Sequence, residues 1–153
     1  MILYKDHSKP ESLDHYGAMG ETNPHIFWKK YKNDKEELKK REKYIAQESE
    51  YAFYYANDVL RHAFPLGEEA ISRDSWYAYR YAKYVLKGPF PEGEEAISKD
   101  SMFAYYYALD ILKGPFPAGE EAISKDRRYS LTYTRDVLKK DFYLDGKLIA
   151  KAE

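Results

Sequence analysis

The chain has 153 residues, with 25 Lys and Arg against 26 Asp and Glu, 17 Tyr and no Cys. The lack of cysteine excludes disulfides and thiolate metal sites, and the balanced charge leaves no overall field to draw the chain to nucleic acid or a membrane. No apolar run approaches the roughly 18 residues of a membrane span, and residues 1–7 lack the long apolar region of a signal peptide, so a soluble cytoplasmic protein is the expectation.

Residues 1–32 stand outside the pattern that organises the rest. Ile26, Phe27, Trp28 and Tyr31 are expected to cover the open end of a stack, as a terminal cap must, and residues 17–23 read as loop. Residues 33–48 predict one helix, with Asn33 or Asp34 capping its first turn. Glu36 and Glu37 sit near its positive end, and Leu38, Arg41, Tyr44 and Ile45 form a narrow apolar stripe.

From there a unit of 26 residues recurs. Lys87-Gly88-Pro89-Phe90-Pro91-Glu92-Gly93-Glu94-Glu95-Ala96-Ile97-Ser98-Lys99-Asp100 returns as Lys113-Gly114-Pro115-Phe116-Pro117-Ala118-Gly119-Glu120-Glu121-Ala122-Ile123-Ser124-Lys125-Asp126. A looser copy begins at Phe64-Pro65. Each unit predicts two helices. Helix A starts at the Phe-Pro step, because a first-turn proline loses no hydrogen bond. The Glu68-Glu69, Glu94-Glu95 and Glu120-Glu121 pairs then complement its dipole.

Asp100 or Ser101, and their equivalents, cap helix B. Its apolar face repeats at i, i+3, i+4, i+7 and i+8, as Ala78, Tyr81, Ala82, Val85 and Leu86. Gly88 and Gly114 are expected to stop it in the left-handed C′ position, with Pro89 and Pro115 beyond. Helix A is expected near 34–47, 66–73, 92–99 and 118–125, and helix B near 50–61, 75–87, 101–113 and 127–140. After Leu138, Phe142 to Ile149 reads as a hairpin across Asp145-Gly146. A helix continued through Lys139–Phe142 with a loose tail is the rival reading.

The expected fold is all-α. It is an α-solenoid of stacked short αα-hairpin repeats, right-handed and gently curved. It comprises one domain over 1–153, with an N-terminal cap (1–32), four helix-pair repeats (33–140) and a small C-terminal cap, hairpin or tail (141–153).

The motif from Tyr77-Ala78 through Tyr81-Ala82, Val85-Leu86-Lys87-Gly88-Pro89-Phe90-Pro91 to Glu94 resembles a tandem repeat of uncharacterised proteins from tailed phages and large DNA viruses, found sporadically in bacteria. The resemblance covers roughly residues 42–140. It implies a viral origin and an accessory role, binding and neutralising a host protein. It implies no catalytic residues.

The residues themselves point to no chemistry. His7, His15, His25 and His62 match no metal or nucleophile spacing, and the glycines form no phosphate loop. An enzyme using Asp14, His15 or His25 is therefore disfavoured, and no cofactor or metal is expected. Arg61, Lys87, Lys113 and Lys139 form one basic column, and Arg73, Lys99 and Lys125 another. They suit a nucleic-acid backbone or, more simply, helix C-termini and the Glu pairs.

Tyr55, Tyr81, Tyr107 and Tyr133 lie on the core stripe, flanked by Tyr51, Tyr77, Phe103 and Tyr129. The positions that change between units mix Tyr, Arg and Asp, the residue types of protein interfaces. They are Phe53, Tyr54, Asn57 and Asp58, then their equivalents one, two and three units on. Among them Tyr54, Tyr79, Arg80, Lys83, Tyr84, Tyr105, Tyr106 and Arg135 are the expected contacts to another protein. Nucleic acid is the second reading.

Overall fold

The computed structural model describes residues 24–152. They are mostly helical, the helices packing in neighbouring pairs, with a two-stranded sheet at the C-terminal end. Helix α1 (Pro24–Tyr31) holds the four residues expected to cover the open end. Phe27 is fully buried and meets the Tyr51 ring edge-on at 5.0 Å. Ile26, expected to share this role, is exposed instead.

The single helix expected over 33–48 is two, α2 (Lys35–Lys40) and α3 (Glu42–Ile45), broken at Arg41. Asp34 caps α2 by accepting from the Glu37 amide. Arg41 leaves the apolar stripe. Its guanidinium donates to the Glu37 carbonyl at 2.9 Å, pairs with the Glu37 carboxylate and stacks over the Tyr31 ring at 4.8 Å. The break therefore fastens α2 to α1.

The repeat follows as expected. Helix A recurs as α5 (Pro65–Ser72), α7 (a 3₁₀ turn Pro91–Gly93 running into Glu94–Ser98) and α9 (Pro117–Lys125). Helix B recurs as α4, α6, α8 and α10, beginning at Ser49, Ser75, Ser101 and Arg127. Asp74, Asp100 and Asp126 cap the last three by accepting backbone N–H bonds.

The second half of every helix B is π-helical: Tyr55–Leu60, Tyr81–Leu86, Tyr107–Leu112 and Thr134–Leu138. In the first three the wide turns begin at the core tyrosine itself. An isolated π turn often marks a functional site. Here it recurs in every unit, so it belongs to the architecture.

Each rod ends on a basic residue in the left-handed region: Arg61 (φ 60°), Lys87 (56°), Lys113 (52°) and Lys139 (54°). This corrects the expectation for Gly88 and Gly114, neither of which has a positive φ. The turn falls instead on the basic residue that closes each π segment, whose N–H bonds back to the carbonyl five residues earlier, as from Arg61 to Ala56 and from Lys139 to Thr134, whether or not a Gly-Pro step follows. An L-residue there is strained by roughly 1 kcal/mol relative to glycine. Lys87→Gly is thus expected to raise unfolding stability by about 1 kcal/mol, read as a later urea midpoint at unchanged slope.

The core tyrosines peg the units together. The Tyr81 hydroxyl donates to Glu68 at 2.8 Å and accepts from the buried Phe64 N–H at 2.8 Å. Tyr107 repeats this with Glu94 and Phe90, and Tyr133 with Glu120 and Phe116. Tyr55 reaches Glu42. Burial first, then the neighbouring carboxylate, raises the pKa of each of these phenols. Each peg ties helix B to the helix A before it and fixes the loop between units. Ile71, Ile97 and Ile123 are fully buried in the same core.

At the far end, β1 (Phe142–Leu144) pairs antiparallel with β2 (Lys147–Ala150) through Asp145 and Gly146, both at positive φ. The hairpin reading holds, and the continued helix is ruled out by the left-handed Lys139. Phe142 is buried against Tyr133 at 5.5 Å, which supplies the support a lone hairpin lacks.

Candidate functional site

The face that varies between units divides into bonds between units and an exception to them. The Tyr79 hydroxyl donates to Asp110 of the next helix B at 2.6 Å, and Tyr105 to Asp136 at 2.8 Å. Lys83 joins the first pair, 2.7 Å from Asp110 and 3.0 Å from the Tyr79 oxygen. Burial, then the aspartate, pushes each phenol pKa up to about 12. Burial works against the Asp110 carboxylate, but its bonds from Lys83 and Tyr79 outweigh it and hold its pKa low.

Among the eight residues expected to meet a partner, Tyr79 (7% exposed) and Tyr105 (6%) are thus buried, and with Lys83 they hold one unit to the next. Tyr54 and Tyr106 are half-buried. Arg135 is exposed and forks onto Asp136 beside it. Tyr84 is half exposed to solvent, and Arg80 lies among aromatic rings.

The exception lies between α4 and α6. Position 53, equivalent to Tyr79 and Tyr105, is Phe; position 84, equivalent to Asp110 and Asp136, is Tyr. The hydroxyl and its carboxylate are therefore exchanged together, and no bond of this kind crosses the first junction. Arg80 takes over. Its guanidinium lies 4.5 Å from the Phe53 ring centre, 5.1 Å from Trp76, and 5.9 Å from both Tyr54 and Tyr84. Trp76 is 44% exposed and Tyr84 50%.

Trp76 was absent from the sequence-based set. The signal for it was present: it replaces Glu50, Met102 and Arg128 of the other units. The joint departs here as well, since His62-Ala63 stands where later units have Gly-Pro.

Of these departures, His62-Ala63 and Tyr84 line a groove of about 500 Å³ between the ends of α4 and α6, together with Arg61, Val85, Leu86 and Lys87 among others. The His62 Nδ1 lies 2.7 Å from the Ala63 carbonyl. The groove's lining holds no carboxylate, whereas the corresponding groove at the last junction includes Asp136.

The Glu pairs and the second basic column engage one another. The second Glu of each pair bridges one helical turn to Arg73, Lys99 or Lys125. The first Glu holds the tyrosine peg. The pairs are thus divided in labour, beyond the dipole role the sequence suggested. Among the described residues no group of three or more His, Asp or Glu is placed to hold a metal, and no helix is long and apolar enough to cross a membrane. Asp14 and His15 lie outside the described residues, as does the side chain of His25. No family model matches the chain, and no curated protein or solved structure is significantly similar to it.

Proposed function

We propose that the chain is a non-catalytic binding protein, a short α-solenoid that engages another protein through the exposed aromatic and cationic face of α6. One observation carries this reading. The units keep the residues that peg them, and the first junction departs from the others at Phe53, Trp76 and Tyr84, which surround Arg80, and at His62, which lines the groove beside Tyr84. Trp, Tyr and Arg are the side chains that dominate binding energy at protein interfaces, and a stacked Arg80 is already ordered, so little entropy is lost when it is covered.

Tyr54, Tyr106 and Arg135 extend the contact along the stack, while Tyr79, Lys83 and Tyr105 are assigned to stacking. In the viral setting that the repeat resemblance implies, the partner is a host protein whose activity is blocked. Nucleic acid has less support, because the Arg73, Lys99 and Lys125 column is matched by carboxylates.

The test is affinity capture from host lysate with the wild-type chain and with Trp76→Ala/Tyr84→Ala. The variant is expected to lose the captured protein at least tenfold while its far-ultraviolet circular dichroism is unchanged. Capture that survives the double substitution sinks the reading.

A further inference from the structure

The geometry points to the groove between the ends of α4 and α6 as a docking site for an acidic peptide segment of the protein partner, one carrying an apolar or aromatic residue between its carboxylates. This deepens the reading above and rests on it.

Three observations carry the assignment. The first is charge. Arg61 and Lys87 line the groove with no ion pair to any described residue, whereas the second basic column, Arg73, Lys99 and Lys125, is paired throughout and Asp136 lines the groove shared by Lys113 and Lys139. The lining between Arg61 and Lys87 contains no carboxylate. Asp58, which follows the lining residue Asn57, is bonded to that Asn57 amide at 2.6 Å. An occupant with negative charge is what this lining complements.

The second is backbone. Arg61 and Lys87 hold the left-handed conformation that glycine adopts without strain. A cation stands there in every unit, and helix C-termini favour cations in general. At this junction alone, among the described grooves, two such residues face one cavity without a carboxylate in its lining.

The third is the floor. Val85, Leu86 and the exposed Tyr84 ring supply apolar and aromatic surface between the two charges. That suits a peptide side chain. A nucleic-acid strand would run on along the column through Lys113 and Lys139, where Asp136 lines the groove and opposes a phosphate.

Successive helices pack about 8–10 Å apart, so Arg61 and Lys87 match carboxylates about three residues apart in an extended chain.

The test uses fluorescence anisotropy with the full chain and three labelled probes: a 12-residue peptide of Glu-Leu-Phe repeats, its Gln-Leu-Phe counterpart and a 12-nucleotide oligothymidylate. The acidic peptide is expected to bind at least tenfold more tightly than the neutral one at 50 mM salt. Arg61→Gln/Lys87→Gln removes that preference. Lys113→Gln/Lys139→Gln, which makes the same change at equivalent left-handed positions elsewhere, retains it.

Equal binding of acidic and neutral peptides overturns the inference. So does equal loss in both Gln variants, which would show diffuse charge only, or tighter binding of the oligonucleotide through Arg61 and Lys87. Capture lost in Trp76→Ala/Tyr84→Ala, with no binding of the acidic peptide, overturns this assignment and leaves the protein-binding reading standing. Capture that survives that substitution removes both.

Discussion

Gly93→Ala is expected to destabilise the protein by about 1–3 kcal/mol, while Gly88→Ala, five residues earlier, changes stability by less than about 1 kcal/mol. A Cβ at position 93 would stand 2.5 Å from Cδ1 of Phe90 and 2.9 Å from the Ala78 Cβ. Phe90 cannot swing aside, since it is buried and packs on Tyr81 at 5.1 Å. Helix A must therefore move away from the preceding helix B. Gly67 and Gly119 meet the same obstacle, against Ala52 and Ala104. At Gly88 the nearest atom is a carbonyl oxygen 4.0 Å away. Urea denaturation of the two variants side by side checks the contrast. Equal losses at both positions would show that the close Gly–Ala approach is not what sets the packing of the helix pairs.

Tyr107→Phe is expected to lower stability by about 1–3 kcal/mol although it removes a single oxygen. The change leaves the buried Phe90 N–H without its acceptor and Glu94 without its donor. Tyr143→Phe, on the exposed face of the hairpin, serves as the control and is expected within about 0.5 kcal/mol of wild type.

The pegs also predict an alkaline limit. The folded-state phenols of the pegs titrate above their unfolded value of about 10, and Tyr79 and Tyr105, which bond across the units, are pushed up to about 12. Their contribution is therefore fully present below pH about 10 and is lost as pH rises through the folded values. Urea titrations at rising pH should show a falling limb there, and a shallower one in Tyr107→Phe. A limb of unchanged slope in that variant would place the titrating groups elsewhere.

The helix pairs, the aspartate caps and the Asp145-Gly146 hairpin were legible in the sequence because each rests on local chemistry. Other features were not, for stateable reasons. An apolar face at i, i+3 and i+4 serves an α-helix and a six-residue π segment equally, so the wide turns left no mark. The Gly-Pro steps suggested a glycine stop, but the left-handed turn falls on the basic residue that closes each π segment, including Arg61 and Lys139, which no Gly-Pro step follows.

Residues 33–48 carried a helical pattern whose break depends on Arg41 reaching Tyr31 in another element. The variable face was legible only in part. Its residues were identified, but Tyr79, Lys83 and Tyr105 bond across 27 or 31 residues, a spacing that adjacent-unit alignment does not display. Comparing position 53 with 84, 79 with 110 and 105 with 136 separates the stacking pairs from the one that is free.

Phe53→Tyr/Tyr84→Asp removes the difference between the first junction and the later ones. The double substitution writes the Tyr–Asp bond of the later junctions into the first. Unfolding and partner capture are to be measured on the same preparation. Stability is expected to rise by about 0.5–1.5 kcal/mol and capture to fall at least tenfold. A variant that is no more stable, or one that still captures the partner as wild type does, would contradict the assignment of the first junction to binding.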